Sequence, residues 1–513
     1  MRRNNTVNTI AVIIMLTFST KFMGFIRDAI IGRRLGVSEE ATAYYASFNS
    51  TIQIFLSIAT GISLTLIPIV VEKVKNKEIT NKSINNIINS LLLVTACITV
   101  LGLLFAPLFV KLMVSDAKSH YLLTVHLTQI MFPSVIIIVL TYVFVAFLQG
   151  NERFVIPAII SIPGNIIVLV YLFFLVDDYG VYGLAIAIVL GWVLQWLVQI
   201  PTAMKVGYKY KFYINFKDKV LKSFIVAVIP IIFVTAIHNL NILMDTSIIN
   251  ESKIPIINYS NNIYFPVVTV VVYGITAVMF PKFSKKIVGQ DQNEFNSTVT
   301  TVIKGLFYLL IPMAIGIIVL SIPIISMVYQ EDRFDEAAVL DVARALSAFS
   351  IGMIGFGVVD VLNKAFYSRK NIRVPIFTGF CVLCSNFILS ILLREQVGYI
   401  GIPLASALSF LIGAVILIVL YSKSNQIFVY MTLIKSFLKT LVASLGMGIV
   451  VYYLKELLMG ITLKSVFLKQ GFIIMICGGV GIIVYIIFTL LLKNDISVGL
   501  LDKFKIKGRK CNE

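Results

Sequence analysis

Residues 180–187 read GVYGLAIA and residues 398–405 read GYIGIPLA. The pairs Pro157/Pro375, Gly180/Gly398 and Gly183/Gly401 each stand 218 residues apart, so the likeness extends over whole segments. Outward from both stretches, apolar runs of about 20 residues recur, each long enough to cross a hydrocarbon core of roughly 30 Å as a helix. A spacing that spans six such helices preserves their direction. The two halves are then related by an axis along the membrane normal, as in alternating-access transporters.

Composition agrees. Of 513 residues, 58% are hydrophobic and 13% charged, which excludes a soluble fold. The fold class is an all-α polytopic membrane protein of about fourteen helices: two pseudo-symmetric six-helix lobes plus two C-terminal helices. Helices are expected near 7–31, 43–71, 84–113, 121–149, 154–176, 181–204, 221–244, 262–281, 299–328, 340–367, 374–393, 399–421, 430–454 and 468–492. The domains are 1–218 and 219–425 for the lobes, 426–495 for helices 13 and 14, and 496–513 for a basic tail. Arg2 and Arg3 precede an apolar run as in a signal peptide, but no small-residue cleavage site follows, so a retained first helix is expected.

The formal net charge of +18 would suggest nucleic acid in a soluble protein. Here the cations gather in alternate loops: Lys73, Lys75, Lys77 and Lys82; Lys205 to Lys222; Lys282, Lys285 and Lys286; Arg369, Lys370 and Arg373; and the tail from Lys503 to Lys510. By the positive-inside rule these loops and both termini face the cytoplasm, while Asp177-Asp178 and Glu331-Asp332 face outward. The stretch 205–222 also suits docking to anionic lipid, although orientation alone accounts for its charge. Cys97, Cys381, Cys384 and Cys477 lie inside apolar segments and Cys511 in the tail, where neither disulfides nor metals are expected. No G-x-x-x-x-G-K-[ST] loop occurs, so ATP does not drive this chain directly, and no cofactor is expected.

Ionisable residues in the membrane interior are costly unless they face a cavity or a partner. In helix 1, Thr17, Lys21, Gly24, Arg27 and Asp28 fall on one face, with Phe22, Met23 and Ile26 on the other. The functional reading is a cavity wall offering cations to an anionic ligand; the alternative is an ion pair that only stabilises the bundle. Ser47, Ser50, Gln53, Ser57 and Thr60 form a neutral polar stripe on helix 2, and Asn262, Thr269, Tyr273 and Thr276 another on helix 8. Sugar hydroxyls need neutral donors and acceptors and a pyrophosphate needs Arg or Lys, so the mixture suits a glycan pyrophosphate headgroup. Asp360 precedes Lys364 by four residues, the favourable order for an intrahelical pair, and is read as structural.

These motifs resemble the MurJ/MviN group of the multidrug, oligosaccharidyl-lipid and polysaccharide exporter superfamily. The likeness rests on KFMGFIRDAIIGRRLG (21–36), AFLQGNERFVIPAIISIPGNIIV (146–168), GVYGLAIAIVLGWVLQ (180–195), the stretch 331–375 and GYIGIPLASALS (398–409). The resemblance implies helices 1, 2, 7 and 8 around a cavity, helices 13 and 14 as a groove for a lipid tail, and outward flipping of lipid II in a bacterial inner membrane. It implies Lys21 and Arg27 on the headgroup with Asp28 orienting them; Gly24, Ser50, Gln53, Ser57, Asn261, Asn262 and Tyr273 complete the expected site. The chain departs from the family pattern at Phe55-Leu56 and Asn261-Asn262, where arginines are usual, at Thr42, where an acid is frequent, and at Lys21, which replaces the first cavity arginine.

The reading is therefore a lipid-linked glycan flippase and not an enzyme. Lipid II is the first cargo, and a capsule, teichoic acid or exopolysaccharide precursor the alternative. Its partners are that lipid-linked glycan, membrane lipids and the cell-wall synthesis machinery, with no nucleic acid. A cation-coupled multidrug antiporter would predict acids on cavity helices. A membrane polymerase or ligase would need a large outer loop, and 245–261 offers only Asp245 and Glu251.

Overall fold

In the computed structural model the described residues exclude 1, 77–80, 112–113, 115–119, 289–291, 332, 370, 424–429, 462, 464 and 499–513. The side chains of 2–14, 73–76, 233–238, 277–278, 280–282, 284–288, 292 and 430 are also outside the description. Lys73, Lys75, Lys77, Lys282, Lys285, Lys286, Asp332, Lys370, Cys511 and the tail lysines, named above, therefore lie outside it, as does most of the expected domain 496–513.

The described residues form fourteen long helices, several of them broken. They are α1 (Arg2–Leu35), α2 (Glu39–Phe48, then Ile54–Asn76), α3 (Asn81–Lys111), α4 (Tyr121–Met131 and Ser134–Gly150), α5 (Val155–Ile159 and Ser161–Phe174), α6 (Val176–Leu197 and Ile200–Lys205) and α7 (Lys219–Ile248). The series continues with α8 (Ile254–Val288), α9 (Gln292–Tyr329), α10 (Glu336–Ile351 and Met353–Ser368), α11 (Arg373–Val397), α12 (Gly401–Lys423), α13 (Tyr430–Met459) and α14 (Val466–Leu491). Ten runs among the described residues are long and apolar enough to span a bilayer. Exposed leucine, isoleucine, valine and phenylalanine are abundant on them, as a lipid-facing surface requires.

Two compact units emerge, residues 1–255 and 256–513. In the first, α2 is a seam. Ser47 Oγ donates to the Thr124 carbonyl of α4 at 3.0 Å and accepts from Thr128 Oγ1 at 3.0 Å. On the α7 side, Asn49 Nδ2 donates to Thr246 Oγ1 at 3.2 Å, and Asn239 Nδ2 reaches the Gln53 carbonyl at 3.0 Å and Ser57 Oγ. Each such bond contributes about 0.6 kcal/mol in a membrane protein. In the second unit, α13 and α14 pack on α9 through Leu320, Met447, Val451, Ile473, Cys477 and Tyr485, with the Tyr485 hydroxyl donating to the Tyr308 carbonyl at 2.7 Å.

The repeat survives in the backbone. Pro157 is the third residue of α5 and Pro375 the third of α11, first-turn positions where the missing N–H costs nothing. Gly180 has φ 55° and ψ −144°, and Gly398 has φ 66° and ψ −146°. The same conformation, open only to glycine, turns the chain at equivalent points of both halves.

Candidate functional site

α1 rests on α5. The buried hydroxyl of Thr20 donates to the Thr17 carbonyl at 2.8 Å and to the Ala158 carbonyl at 3.3 Å. One turn on, a Cβ at Gly24 would lie 3.7 Å from Asn165 Nδ2, an ordinary contact distance, so this face of α1 abuts Asn165. One further turn on is Arg27. Its Nε and Nη2 donate to Asp28 Oδ1 at 2.9 and 2.7 Å, and Nη1 donates to Asn165 Oδ1 at 3.0 Å. Among the described residues, three of the five guanidinium N–H groups are thereby given partners.

Arg27 and Asp28 side chains are 27% and 28% exposed, and Lys21 is exposed on the same helix. The pair is neutral overall, so Lys21 supplies the net positive charge of this face. Phe18, Phe22 and Ile26 are also exposed. Arg27 and Asp28 form a partly exposed ion pair on α1, and Asn165 extends it to a second helix. Sequence reasoning missed Asn165 because it lies 138 residues from Arg27; the signal was a lone amide in the apolar run after Pro163-Gly164.

The α2 stripe is arranged differently from a simple wall. A five-residue π-helical stretch, Asn49–Gln53, interrupts α2 at the expected contacts. Such stretches frequently mark functional sites. Ser50 is buried and its hydroxyl donates back to the Ser47 carbonyl at 3.0 Å. Ser57 Oγ bonds the Gln53 carbonyl at 3.5 Å and meets Asn239 from α7. Gln53 is half-buried. The Gln53 carbonyl and Ser57 thus join α2 to α7 within the first unit, while Ser50 is spent within α2.

The remaining expected residues sit in the second unit. Asn261 and Asn262 are half-buried on α8, and Tyr273 is 45% exposed. Tyr273 has charged company that sequence reasoning did not assign to it. From α10, Lys364 Nζ pairs with Asp360 Oδ2 at 2.8 Å, donates to Thr276 Oγ1 and lies 5.2 Å from the Tyr273 ring centroid. The i,i+4 pair was legible; its reach across to α8 was not. Among the described residues no cluster of metal-ligating side chains occurs.

The family described as lipid II flippase MurJ matches residues 31–472. The chain belongs to the MurJ family. Curated relatives include a lipid II flippase MurJ of Thermosipho africanus, 26% identical over 485 residues, covering 94% of this chain and 95% of the relative. Another, from Burkholderia cenocepacia, is 25% identical over 418 residues, covering 78% of this chain and 81% of its own length. A solved MurJ structure in an inward closed conformation has TM-score 0.80 and 25% identity, covering 95% of this chain and 99% of that one. An inward-facing multidrug resistance MATE transporter has TM-score 0.69 at 14% identity, covering 80% of this chain and 98% of that chain, a likeness of fold alone. This MurJ family member is accordingly an all-helical, multi-pass membrane protein with the two-lobe architecture shared by MurJ and MATE transporters, extended by α13 and α14.

Proposed function

We propose that this chain translocates lipid II, the undecaprenyl-pyrophosphate-linked peptidoglycan precursor, from the inner to the outer face of the bacterial cytoplasmic membrane by alternating access. Family membership over residues 31–472 supports the cargo. The observation that carries the site is Arg27, a partly exposed guanidinium held by Asp28 and Asn165. A fixed, always-charged fork of N–H groups matches pyrophosphate oxygens. Exposed Lys21 supplies a second cation, and Asp28 holds the first in position.

In this reading residues 1–218 and 219–425 are the two lobes, and the half-buried Gln53 side chain in the first unit offers a neutral partner to sugar hydroxyls, while Ser50 and Ser57 are spent within the helices. Residues 426–495 take the lipid tail. Both termini face the cytoplasm, where the lysine-rich connections belong. The chain moves its substrate without making or breaking a covalent bond.

Complementation tests the proposal. Cells depleted of their own lipid II flippase receive the wild type, Arg27→Ala or Arg27→Lys, with membrane insertion checked for each. Wild-type rescue of growth, loss in Arg27→Ala and incomplete rescue in Arg27→Lys are expected. Failure of the inserted wild type to clear accumulated lipid II would overturn the cargo; full rescue by Arg27→Ala would overturn the site.

A further inference from the structure

The connection from α6 to α7 is bound to α3 along its length. Asn81, Asn85 and Asn89 stand at intervals of four on one face of α3. Their amides donate to the carbonyls of Gly207 at 3.3 Å, Lys209 at 2.8 Å and Lys211 at 3.3 Å, and Asn89 also reaches Tyr213 at 3.1 Å. The match is geometric. Four helical residues rise about 6 Å and two extended residues about 6.6 Å, so an i,i+4 row of side chains meets every second carbonyl of an extended chain.

Asn86 closes the far end, donating to the Asn215 carbonyl at 2.8 Å and accepting from the Asn215 N–H at 2.7 Å. Tyr208 closes the near end, buried between Phe144 and Phe147 at ring separations of 5.2 and 5.4 Å. Asp218 caps α7 by accepting from the Val220 N–H at 2.7 Å.

What this ordered segment presents is unusual for a polar loop. Phe212, Phe216 and Tyr210 are 72%, 61% and 58% exposed, interleaved with exposed Lys205, Lys209, Lys211, Lys217, Lys219 and Lys222. Six lysines against Asp218 leave a net charge of +5 over residues 205–222. Membrane orientation requires lysines here, but neither bare phenylalanines nor a clamped backbone. Phenylalanines among lysines, next to the ends of two membrane helices, have the composition of a segment lying in the headgroup region.

We propose that residues 205–222 form a preordered binding surface for anionic phospholipid of the adjoining leaflet, with Lys209, Lys211 and Lys217 on lipid phosphates and Phe212 and Phe216 at the acyl boundary. Because the asparagine row already holds the backbone, lipid binding has little chain entropy to overcome. The proposal is independent of the cargo and of the α1 site.

The test uses the purified full chain, exchanged into equimolar phosphatidylglycerol and phosphatidylcholine, with retained lipid counted by native mass spectrometry. The wild type should retain phosphatidylglycerol preferentially, less so at high salt. The combined Lys209→Gln, Lys211→Gln, Lys217→Gln variant, which alters only exposed side chains, should lower that preference about tenfold at unchanged melting temperature. Phe212→Ser with Phe216→Ser should reduce total retained lipid. Asn86→Ala with Asn89→Ala keeps every charge but frees the segment, and should weaken the preference less than the lysine variant. A wild type without preference, or a lysine variant with undiminished preference, overturns the proposal.

Discussion

Replacing Gly398 with alanine places a Cβ on a residue at φ 66° and ψ −146°. Nothing lies within 4 Å of that Cβ, so no clash contributes and the cost is backbone strain alone, about 1–3 kcal/mol. Gly180, at φ 55° and ψ −144° and equally open, should cost the same. Gly305 is the control: it lies inside α9 with open space around its Cβ, and alanine there should stabilise by up to about 1 kcal/mol. At roughly 2–4 °C per kcal/mol for a unit of this size, Gly398→Ala should lower the melting temperature of the detergent-solubilised protein by about 2–12 °C. The two glycine variants lie in separate units, and their effects should add to within about 0.5 kcal/mol. Thermal melting followed by size-exclusion recovery reads the wild type, the three single variants and the Gly180→Ala, Gly398→Ala double variant. A Gly398→Ala variant that melts with the wild type, or a Gly305→Ala variant that falls as far, would refute the claim that a glycine-only turn marks both halves.

Further expectations follow from the α1 site and the chain after α14. Asn165→Leu removes one charge-assisted hydrogen bond from Arg27, a loss of about 1.5–3 kcal/mol; if Arg27 must be aimed at its ligand, flipping in proteoliposomes should fall roughly tenfold to a hundredfold, whereas an unchanged rate would make Asn165 a packing residue only. Beyond α14, Asp495 accepts from Lys304 Nζ at 2.8 Å while Lys439 Nζ donates to the Lys493 carbonyl at 2.9 Å. The Lys304 hydrogen bond, outweighing burial, holds the Asp495 carboxyl below its ordinary range. A depressed acid stabilises above its unfolded pKa and loses that contribution as pH falls through the folded one, so docking of residues 493–498 should loosen below about pH 4. Faster hydrogen exchange there at acid pH, absent in Asp495→Asn, is the expected readout; a wild type as flat as the variant would sink it. An inside-negative potential favours outward movement of an anion by about 2.3 kcal/mol per charge per 100 mV; flipping should slow when the potential is collapsed, and a rate indifferent to it would remove the potential as a driving force.

Much of this was readable from residues. The arc of Lys21, Gly24, Arg27 and Asp28 was legible because helical periodicity alone places those positions on one face. Asn165 was not, since a partner on another helix is set by which helices pack, which periodicity does not contain. The α2 stripe shows the same limit: spacing aligned Ser50, Gln53 and Ser57, but the π-helical stretch and the bonds to α4 and α7 determine where each hydroxyl is spent. Lys364 was assigned its carboxylate four residues away, while its contacts with Thr276 and Tyr273 required α8 beside it. The stretch 205–222 had an evident charge, yet only the row of asparagines on α3 reveals why its backbone stays extended with phenylalanines outward.

By itself the sequence determined the class of fold, the number of long helices and the repeat, because hydrophobic length and glycine or proline at equivalent turns are local properties of the chain. Tertiary structure decided which polar groups are spent on holding helices together and which keep donors to offer, because a hydrogen bond between segments more than a hundred residues apart depends on packing that no local pattern specifies.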